Sequence, residues 1–429
     1  MSDTFIIKGS ARARTLEGEI AVKGAKNAAL KAFPASVLFR DAVRLRNVPD
    51  IGDIAQMKIL LEGLGAHILK RGNASYTIVV PHSVETNFPR LIAKRFRASI
   101  VAVGPTLARF GKVSFPHPGG CLIGARPIDI FLDGFAQMGA RFERRGEIYT
   151  LRVPKKKLRG ATIFFKNQTV TATETFMMAG VLAEGTTVLK NAAIEPEVES
   201  LADFLNACGA RIKGAGTSVI AVKGGGLLRA GGRSWTMLPD RIEAGSFLIL
   251  GALAAKDLRI VECEPAHLEA LLGVLRLSGV SFEIGKTSIR IRRNPSPARF
   301  HSVDVKTHEY PGFPTDLQSL ITVFLSQVKG KSTVFETIFE GRFRYAEELA
   351  RMGADIKECD PHRIIVHGPT PLRGKELQSP DLRAGLAYII AGMVAKGTSV
   401  IHNVENIDRG YERIDERLRG IGMNIKRII

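Results

Sequence analysis

A helix-like hydrophobic pattern that ends at a glycine recurs along this chain. Each copy has a leucine or phenylalanine, three further residues, a glycine, and then alternating apolar and polar positions. Glycine can take the left-handed conformation that ends a helix, and alternation is typical of a half-buried strand. Each copy therefore predicts a helix, a turn and a strand, with the turn glycines at Gly65, Gly139, Gly209, Gly279, Gly353 and Gly422.

A second signal of the same kind, a helix end followed by a β-rich stretch, falls about half a repeat earlier, for example in residues 182–191 and 393–403. The turn glycines are spaced 69 to 74 residues apart. This period is too long for a common solenoid, whose repeats span roughly 20–50 residues. The pattern instead predicts six small α/β subdomains in two groups of three. A glycine-rich stretch, residues 223–232, marks the expected boundary, and we expect a ligand cleft between the two groups.

Composition limits the function classes. The 429 residues are 45% hydrophobic and carry a formal net charge of +19, spread over the whole length. Aromatic residues are few, so stacking platforms for single-stranded nucleic acid are poorly supplied, and we expect no nucleic-acid partner. The charge is interpreted as a solvated surface with a bias toward anionic ligands. The start of the chain lacks a signal peptide, and residues 245–255 are too short to span a membrane, so a soluble cytoplasmic protein without membrane insertion is expected.

One loop concentrates candidate chemistry. Residues 115–129 contain prolines, paired glycines, Cys121, Arg126 and Asp129. We expect a surface loop with Cys121 at its tip, then a helix with Pro127 in its first turn and Asp129 near its positive end. An arginine beside a helix start suits an anion. Taken alone, the loop fits equally a tight turn with a buried, inert cysteine. The four cysteines and nine histidines are scattered, which predicts no metal site.

Eight segments together resemble the enolpyruvyl transferases, and within them the members that act on UDP-N-acetylglucosamine. They are residues 23–30, 97–100, 118–121, 124–129, 238–243, 313–316, 381–383 and 407–413. The resemblance covers essentially the whole chain. It implies a two-domain inside-out α/β barrel with helices inside, sheets outside, three α/β subdomains per domain and an active-site cleft between the domains. The implied domains are residues 25–235, which carry the Cys121 loop, and residues 1–24 with 236–429.

The resemblance also implies a reaction. The enolpyruvyl group of phosphoenolpyruvate moves to the 3-hydroxyl of UDP-N-acetylglucosamine and phosphate is released, without a cofactor, as the first committed step of peptidoglycan synthesis. Lys26, Arg126 and Arg409 match phosphoenolpyruvate-binding positions, with Arg383 a further cation. Asp316 matches the proposed base. Cys121 matches a loop cysteine that acts as proton donor or in product release, forms a covalent adduct and reacts with fosfomycin. The implied catalytic residues are Cys121, Asp316, Lys26 and Arg409.

The implied nucleotide-sugar contacts come from several segments, and one of these departs from the family pattern. The contacts are Asn27, Arg97, Arg126, Pro127, Ile128, Asp129, Ile130, Thr169, Val170, Asp316 and Ile338. The family commonly shows Ser-Val-Gly-Ala-Thr after a lysine, whereas here Thr169 replaces the serine and Thr171 the glycine. Asn167 stands at the lysine position.

Two alternatives stay open at this point. The sister enzyme, enolpyruvylshikimate-phosphate synthase, shares the fold and phosphoenolpyruvate but lacks the Gly-Gly-Cys loop. A non-catalytic or nucleic-acid-binding relative would account for the high net charge. The sequence does not give the oligomeric state, and we expect a monomer. We also expect the two domains to close on the nucleotide sugar, which solution scattering would detect as compaction.

Overall fold

The structure is a computed structural model that describes residues 3–120, 124, 126–154, 157–292 and 294–429. Tertiary contacts divide these residues into two units. Unit A comprises residues 24–120 and 126–238, and unit B comprises residues 3–23 and 239–429 together with Gly124. The change from unit A to unit B thus falls at residues 238 and 239, three residues beyond the boundary expected from the sequence.

The strands of both units are short. In chain order they are β1 (Thr4–Lys8), β2 (Leu16–Ala21), β3 (Val43–Arg46), β4 (His67–Lys70), β5 (Tyr76–Val79), β6 (Lys112–Pro116), β7 (Arg141–Arg145), β8 (Ile148–Arg152), β9 (Thr162–Phe164), β10 (Thr186–Lys190), β11 (Ile212–Lys213), β12 (Val219–Lys223), β13 (Ser234–Thr236), β14 (Ala255–Val261), β15 (Glu283–Ile284), β16 (Ser288–Arg292), β17 (Val305–Lys306), β18 (Gly330–Phe335), β19 (Asp355–Asp360), β20 (Arg363–Gly368), β21 (Glu376–Gln378), β22 (Thr398–His402) and β23 (Ile425–Ile428).

The α-helices alternate with these strands. They are α1 (Lys26–Ala35), α2 (Gly52–Gly63), α3 (Arg90–Ala93), α4 (Val103–Phe110), α5 (Asp129–Gln137), α6 (Val170–Val181), α7 (Pro196–Ala207), α8 (Arg241–Ala254), α9 (Glu269–Leu277), α10 (Gln318–Leu325), α11 (Tyr345–Arg351), α12 (Leu382–Val394), α13 (Glu405–Asp408) and α14 (Ile414–Gly420). Short 3-10 turns include Arg97–Ala102, Thr315–Leu317 and Arg342–Arg344.

Across the described ranges, the strands form six sheets, three in each unit. Unit A has the orders β13-β3-β5-β4, β6-β8-β7 and β11-β12-β10-β9. Unit B has β15-β16-β14-β2, β17-β18-β20-β19 and β21-β22-β1-β23. In each unit the sheets surround helices that are buried on nearly every side: α1, α4 and α6 in unit A, and α8, α10 and α12 in unit B. The predicted fold class, with helices inside and sheets outside, is confirmed.

The repeated glycine turns have the predicted geometry. All six turn glycines have positive φ angles, between 88° and 109°. Each follows a helix (α2, α5, α7, α9, α11 or α14) and precedes a strand of a different sheet (β4, β7, β11, β15, β19 or β23). A side chain at such a position would strain the backbone, which explains why glycine recurs there.

The first two strands of the chain, β1 and β2, belong to sheets of unit B. Strand β1 lies between β22 and β23, and β2 pairs in parallel with β14. The glycine-rich stretch lies inside unit A, because β13, which follows it, pairs in parallel with β3. Asp41 holds this stretch by accepting hydrogen bonds from the amides of Ala230 and Gly231, both at 2.8 Å.

Helix length bears on the membrane question. Among the described residues, none of the helices combines the length and the apolar character needed to cross a bilayer. Residues 245–254 of the candidate apolar run lie in the buried helix α8, and Ala255 begins strand β14.

Candidate active site

In unit A, helix α1 begins with two of the predicted substrate residues. Lys26 is its first residue and Asn27 its second, and no side chain caps this helix end. The first amides of a helix have no intrahelical partner, so such an end favours an anion. The Lys26 ammonium lies 2.8 Å from Asp53 Oδ2, and both side chains are largely buried. Asp53 in turn belongs to the first turn of α2.

Two further predicted substrate residues of unit A, Arg97 and Arg126, both lie close to Gly120. Arg97 donates a hydrogen bond to the Pro127 carbonyl at 3.1 Å. Burial, and secondarily the charge of Arg126, lowers the pKa of Arg97 to about 10. Gly120 has a φ of 119°, and a Cβ there would lie 3.0 Å from Arg126 Nη2 and 3.1 Å from Arg97 Cβ. Glycine at this position therefore lets the backbone approach both arginines closely.

The helix after Arg126 starts slightly later than predicted. Helix α5 begins at Asp129, so Asp129 lies in the first turn as expected, whereas Pro127 lies outside the helix and is exposed. Ile128 flanks the helix and is buried, and Ile130 is half-buried. Pro127 serves here as a carbonyl acceptor for Arg97 and not as a first-turn residue.

The segment that departs from the family pattern forms the start of α6. Thr169 caps this helix, with Oγ1 accepting from the Ala172 amide at 3.5 Å, and Val170 is its first residue. Thr171 is accommodated in the first turn, where its carbonyl accepts a hydrogen bond from the hydroxyl of Thr175 at 2.7 Å. Asn167 is exposed. Helix α6 therefore forms with Thr171 in its first turn.

These segments of unit A meet in its core. The 3-10 turn that begins with Arg97 packs against both α1 and α6. The structure therefore brings the helix ends that carry Lys26, Asn27 and Val170 around a common element.

In unit B the central group is Asp316. Arg342 Nη2 donates to Asp316 Oδ1 at 2.7 Å, and Arg383 donates to Oδ2 from Nη2 at 2.9 Å and from Nε at 3.2 Å. Arg383 also donates to the hydroxyl of buried Tyr411 at 2.8 Å. Both arginine side chains are 6% exposed, and Asp316 is 30% exposed. Two desolvated cations thus hold one partly accessible carboxylate.

The charges of this cluster decide the state of Asp316. Burial alone would raise the pKa of Asp316, but the charges and hydrogen bonds of Arg383 and Arg342 outweigh it and hold the pKa well below its usual range. Asp316 is therefore ionised at neutral pH. It is a ready hydrogen-bond acceptor but an intrinsically weak base.

Ile338 is held in place by a buried acid. The Oε1 atom of Glu336 accepts from the amides of Ile338 at 2.9 Å and of Phe339 at 3.2 Å. Its Oε2 atom accepts from the hydroxyl of Thr315 at 2.8 Å. Since Thr315 precedes Asp316, Glu336 fixes the Ile338 backbone relative to the turn that carries the carboxylate.

Arg409 lies on a segment packed against the helix of Arg383. It follows the short helix α13, which contacts α12. A Cβ at Gly410 would lie 2.7 Å from Leu382, so glycine permits the close approach. Arg427 anchors the preceding residue, donating two hydrogen bonds of 2.8 Å to the carboxylate of Asp408.

Sequence reasoning missed three members of this site. Arg342 and Glu336 lie outside the matched segments, and nothing local distinguishes Arg342 among the 61 lysines and arginines. Tyr411 lies inside the matched segment 407–413 but was not assigned a role. Cys121, the predicted reactive thiol, is outside the described residues. Cys208 and Cys263 are buried, which raises their pKa, to about 11 for Cys263, and makes them poor nucleophiles.

Comparison with known proteins gives consistent relatives. The sequence profile described as EPSP synthase (3-phosphoshikimate 1-carboxyvinyltransferase) matches residues 11–418. The chain is 44% identical to the UDP-N-acetylglucosamine 1-carboxyvinyltransferase of Acidobacterium capsulatum, over 99% of this chain and 96% of that one. It is 42% identical to the proteins of the same name from Koribacter versatilis and Desulfatibacillum aliphaticivorans, over 99% of this chain and 96% and 100% of theirs.

Solved structures show the same fold. The enolpyruvyl transferase NikO from Streptomyces tendae superposes with a TM-score of 0.87 at 23% identity, covering 99% of each chain. EPSP synthase from Acinetobacter baumannii superposes with a TM-score of 0.76 at 18% identity, covering 100% of each chain. At these identities the likeness establishes architecture alone.

Proposed function

This chain belongs to the enolpyruvyl transferase family, as one of its UDP-N-acetylglucosamine 1-carboxyvinyltransferases, and on that premise we propose that it transfers the enolpyruvyl group of phosphoenolpyruvate to the 3-hydroxyl of UDP-N-acetylglucosamine. Phosphate is the second product. The observation that carries the proposal is the half-buried Asp316 carboxylate held by Arg342 and Arg383. This cluster supplies fixed positive charge and one accessible acceptor oxygen pair, as a reaction between a small trianion and an alcohol requires.

Binding of phosphoenolpyruvate is assigned to four cations. Its carboxylate and phosphate need several donors of fixed geometry, which arginine provides better than any other side chain. We assign Lys26, Arg126, Arg383 and Arg409 to this task. The lowered pKa of Arg97 and the short Lys26–Asp53 distance support a site where cations are already desolvated and oriented.

The first chemical step is an addition. The 3-hydroxyl oxygen forms a bond to C2 of phosphoenolpyruvate, the hydroxyl proton passes to a base, and the methylene carbon C3 gains a proton from an acid. We assign the base role to Asp316 and the acid role to Cys121. Because Arg342 and Arg383 make Asp316 a weak base, it takes the proton only as the new C–O bond forms, when the hydroxyl becomes strongly acidic.

The second step is an elimination that restores the double bond. The C2–O bond to phosphate breaks and phosphate leaves with the bonding electron pair. C3 returns a proton to the Cys121 thiolate formed in the first step, and the departing phosphate takes up the proton held by Asp316. Arg126 and Lys26 are assigned to the negative charge that develops on the leaving phosphate. The nucleotide sugar is assigned to Asn27, Arg97, residues 126–130, Thr169, Val170 and Ile338.

The test is phosphate release from phosphoenolpyruvate with UDP-N-acetylglucosamine as acceptor. Shikimate 3-phosphate serves as the alternative acceptor, since it distinguishes the sister reaction. We expect phosphate release when the nucleotide sugar is the acceptor and none when shikimate 3-phosphate is the acceptor. Absence of turnover with a folded protein at millimolar substrate concentrations contradicts the proposal. Turnover with shikimate 3-phosphate would assign the sister reaction to this chain instead.

Fosfomycin tests the assignment of Cys121. A thiol among cations has a lowered pKa and is alkylated by an epoxide. We expect the drug to abolish wild-type activity and to leave the Cys121→Ser variant unlabelled, as mass spectrometry would show. Labelling of Cys359, which is exposed, in place of Cys121 would contradict the assignment. A role in peptidoglycan synthesis and a cytoplasmic location belong to this proposal and are tested by depletion and fractionation.

A further inference from the structure

A buried ion pair in unit A is not used by the proposed mechanism. Lys31 of α1 and Glu174 of α6 lie with Nζ and Oε2 3.1 Å apart, and their side chains are 7% and 0% exposed. Two further acids, Glu195 and Glu197, are buried at the start of α7, which packs against both helices. Within the described part of the chain, neither Glu174 oxygen accepts a well-aligned hydrogen bond. A desolvated pair of this kind is costly, so a plain apolar core would be at least as stable.

The position of the pair along the two helices is informative. Lys31 follows Asn27 by four residues, and Glu174 follows Val170 by four residues. One helical turn therefore separates each member of the pair from a residue assigned to substrate. Both helix ends are weakly fixed by local capping, since α1 has no side-chain cap and the Thr169 cap of α6 is long at 3.5 Å.

We infer that Lys31 and Glu174 are positioning residues whose ion pair sets the relative placement of the first turns of α1 and α6. The ion pair resists separation of its two charges, whereas apolar contacts allow one helix to slide along another. It therefore supplements the weak capping of the two helices and holds Lys26, Asn27 and Val170 at fixed separations. The inference rests on the proposed function for the identity of the ligands, but not for the placement of the helix ends.

The segment that departs from the family pattern leads directly into this pair. Thr171 stands where the family commonly has glycine, three residues before Glu174. The two positions lie in the same helix, so a change in the first turn and a polar tether one turn later act on the same piece of backbone.

The decisive variant replaces both charges with residues of similar length, Lys31→Met together with Glu174→Met. It leaves no unpaired charge between the two helices, so the thermal midpoint is expected to stay near the wild-type value. The positioning role predicts that kcat/KM with phosphoenolpyruvate and the nucleotide sugar still falls about tenfold to a hundredfold, chiefly through KM. If the pair only stabilises the fold, a double variant with the wild-type thermal midpoint should also have wild-type kcat and KM. That result overturns the inference.

A second readout does not depend on activity. Hydrogen exchange is measured for peptides that cover residues 26–35 and 169–181 in the wild type and the double variant. Faster exchange confined to these two peptides is expected, and unchanged exchange overturns the inference. If the wild type shows no transferase activity, the proposed function fails while the exchange result still decides the placement of the helix ends.

Two controls complete the design. Lys58→Met with Glu62→Met removes an exposed pair of α2 in the same unit and is expected to change neither kinetics nor exchange. If the double Met variant does not fold, Glu174→Gln keeps the size of the side chain and removes its charge. A wild-type KM in the Glu174→Gln variant would then contradict a role for the ion pair.

Discussion

Each unit holds a carboxylate whose pKa departs from its ordinary value, and the two carboxylates have opposite surroundings. Asp316 in unit B faces two arginines, Arg342 and Arg383. Glu174 in unit A faces one lysine, Lys31, and feels the charges of Glu195 and Glu197. Burial raises the pKa of both acids, but two cations pull that of Asp316 far below its usual range, whereas burial prevails for Glu174 and raises its pKa to about 7.

The difference shows that burial by itself does not decide the charge of an acid in this protein. The number and sign of the facing groups decide it. Asp316 is ionised across the neutral range and is available as an acceptor in chemistry. Glu174 changes its charge near neutral pH and is the more expensive group to keep ionised.

The largest effect is expected from removing the acceptor at Asp316. Asp316→Asn keeps the size of the side chain but cannot take the hydroxyl proton, so kcat for phosphate release should fall about a hundredfold to ten-thousandfold. Asp257→Asn is the matched control, because Asp257 also pairs with an arginine, Arg290, but at an exposed site on β14. Equal activity of the two variants would contradict the assigned role of Asp316.

Removing Lys31, which pairs with Glu174, should destabilise unit A. In Lys31→Met, Glu174 has no counter-charge, which costs about 3–5 kcal/mol when it is ionised. Protonation relieves the cost, so the loss in the free energy of unfolding should be larger at pH 8 than at pH 6. Denaturant unfolding at the two pH values measures it, and an equal loss at both would show that Glu174 is not the group concerned.

The wild type itself should report the raised pKa of Glu174. Between the ordinary value of 4.5 and about 7, the folded chain keeps a proton that the unfolded chain has released. The free energy of unfolding therefore falls as pH rises through this window, by up to about 3 kcal/mol. Glu174→Gln removes this contribution. If the free energy of unfolding depends on pH in the same way in the variant and the wild type, Glu174 does not contribute to that dependence.

The smallest effect is expected at Arg342. Arg342→Met leaves Arg383 with its two hydrogen bonds to Asp316, so the loss in kcat should be about tenfold, or about 1.4 kcal/mol. Loss of one positive charge raises the pKa of Asp316, so the variant should lose activity at a higher pH on acidification than the wild type does. The pH profile of kcat tests this, with Arg290→Met as the control, and an unshifted acid limb would contradict the electrostatic role of Arg342.

Local sequence determined the repeating architecture. A glycine such as Gly139 or Gly353 is required wherever a helix ends in a left-handed residue before a strand, and this requirement depends only on backbone sterics and hydrophobic period. The same kind of local signal predicted a helix start near Asp129. The start of α5 was placed early at Pro127, because a proline suits either the first turn or the residues ahead of it.

Only the tertiary structure decided the charge environments. Asp316 and Arg383 lie 67 residues apart in the chain, and Lys31 and Glu174 are separated further still. No local pattern encodes which cation will face which carboxylate, since electrostatic pairing across a core depends on how buried helices pack. For this reason the sequence predicted Asp316 as a site residue through the family resemblance but could reveal neither Arg342 beside it nor the ion pair beneath the helix ends of unit A.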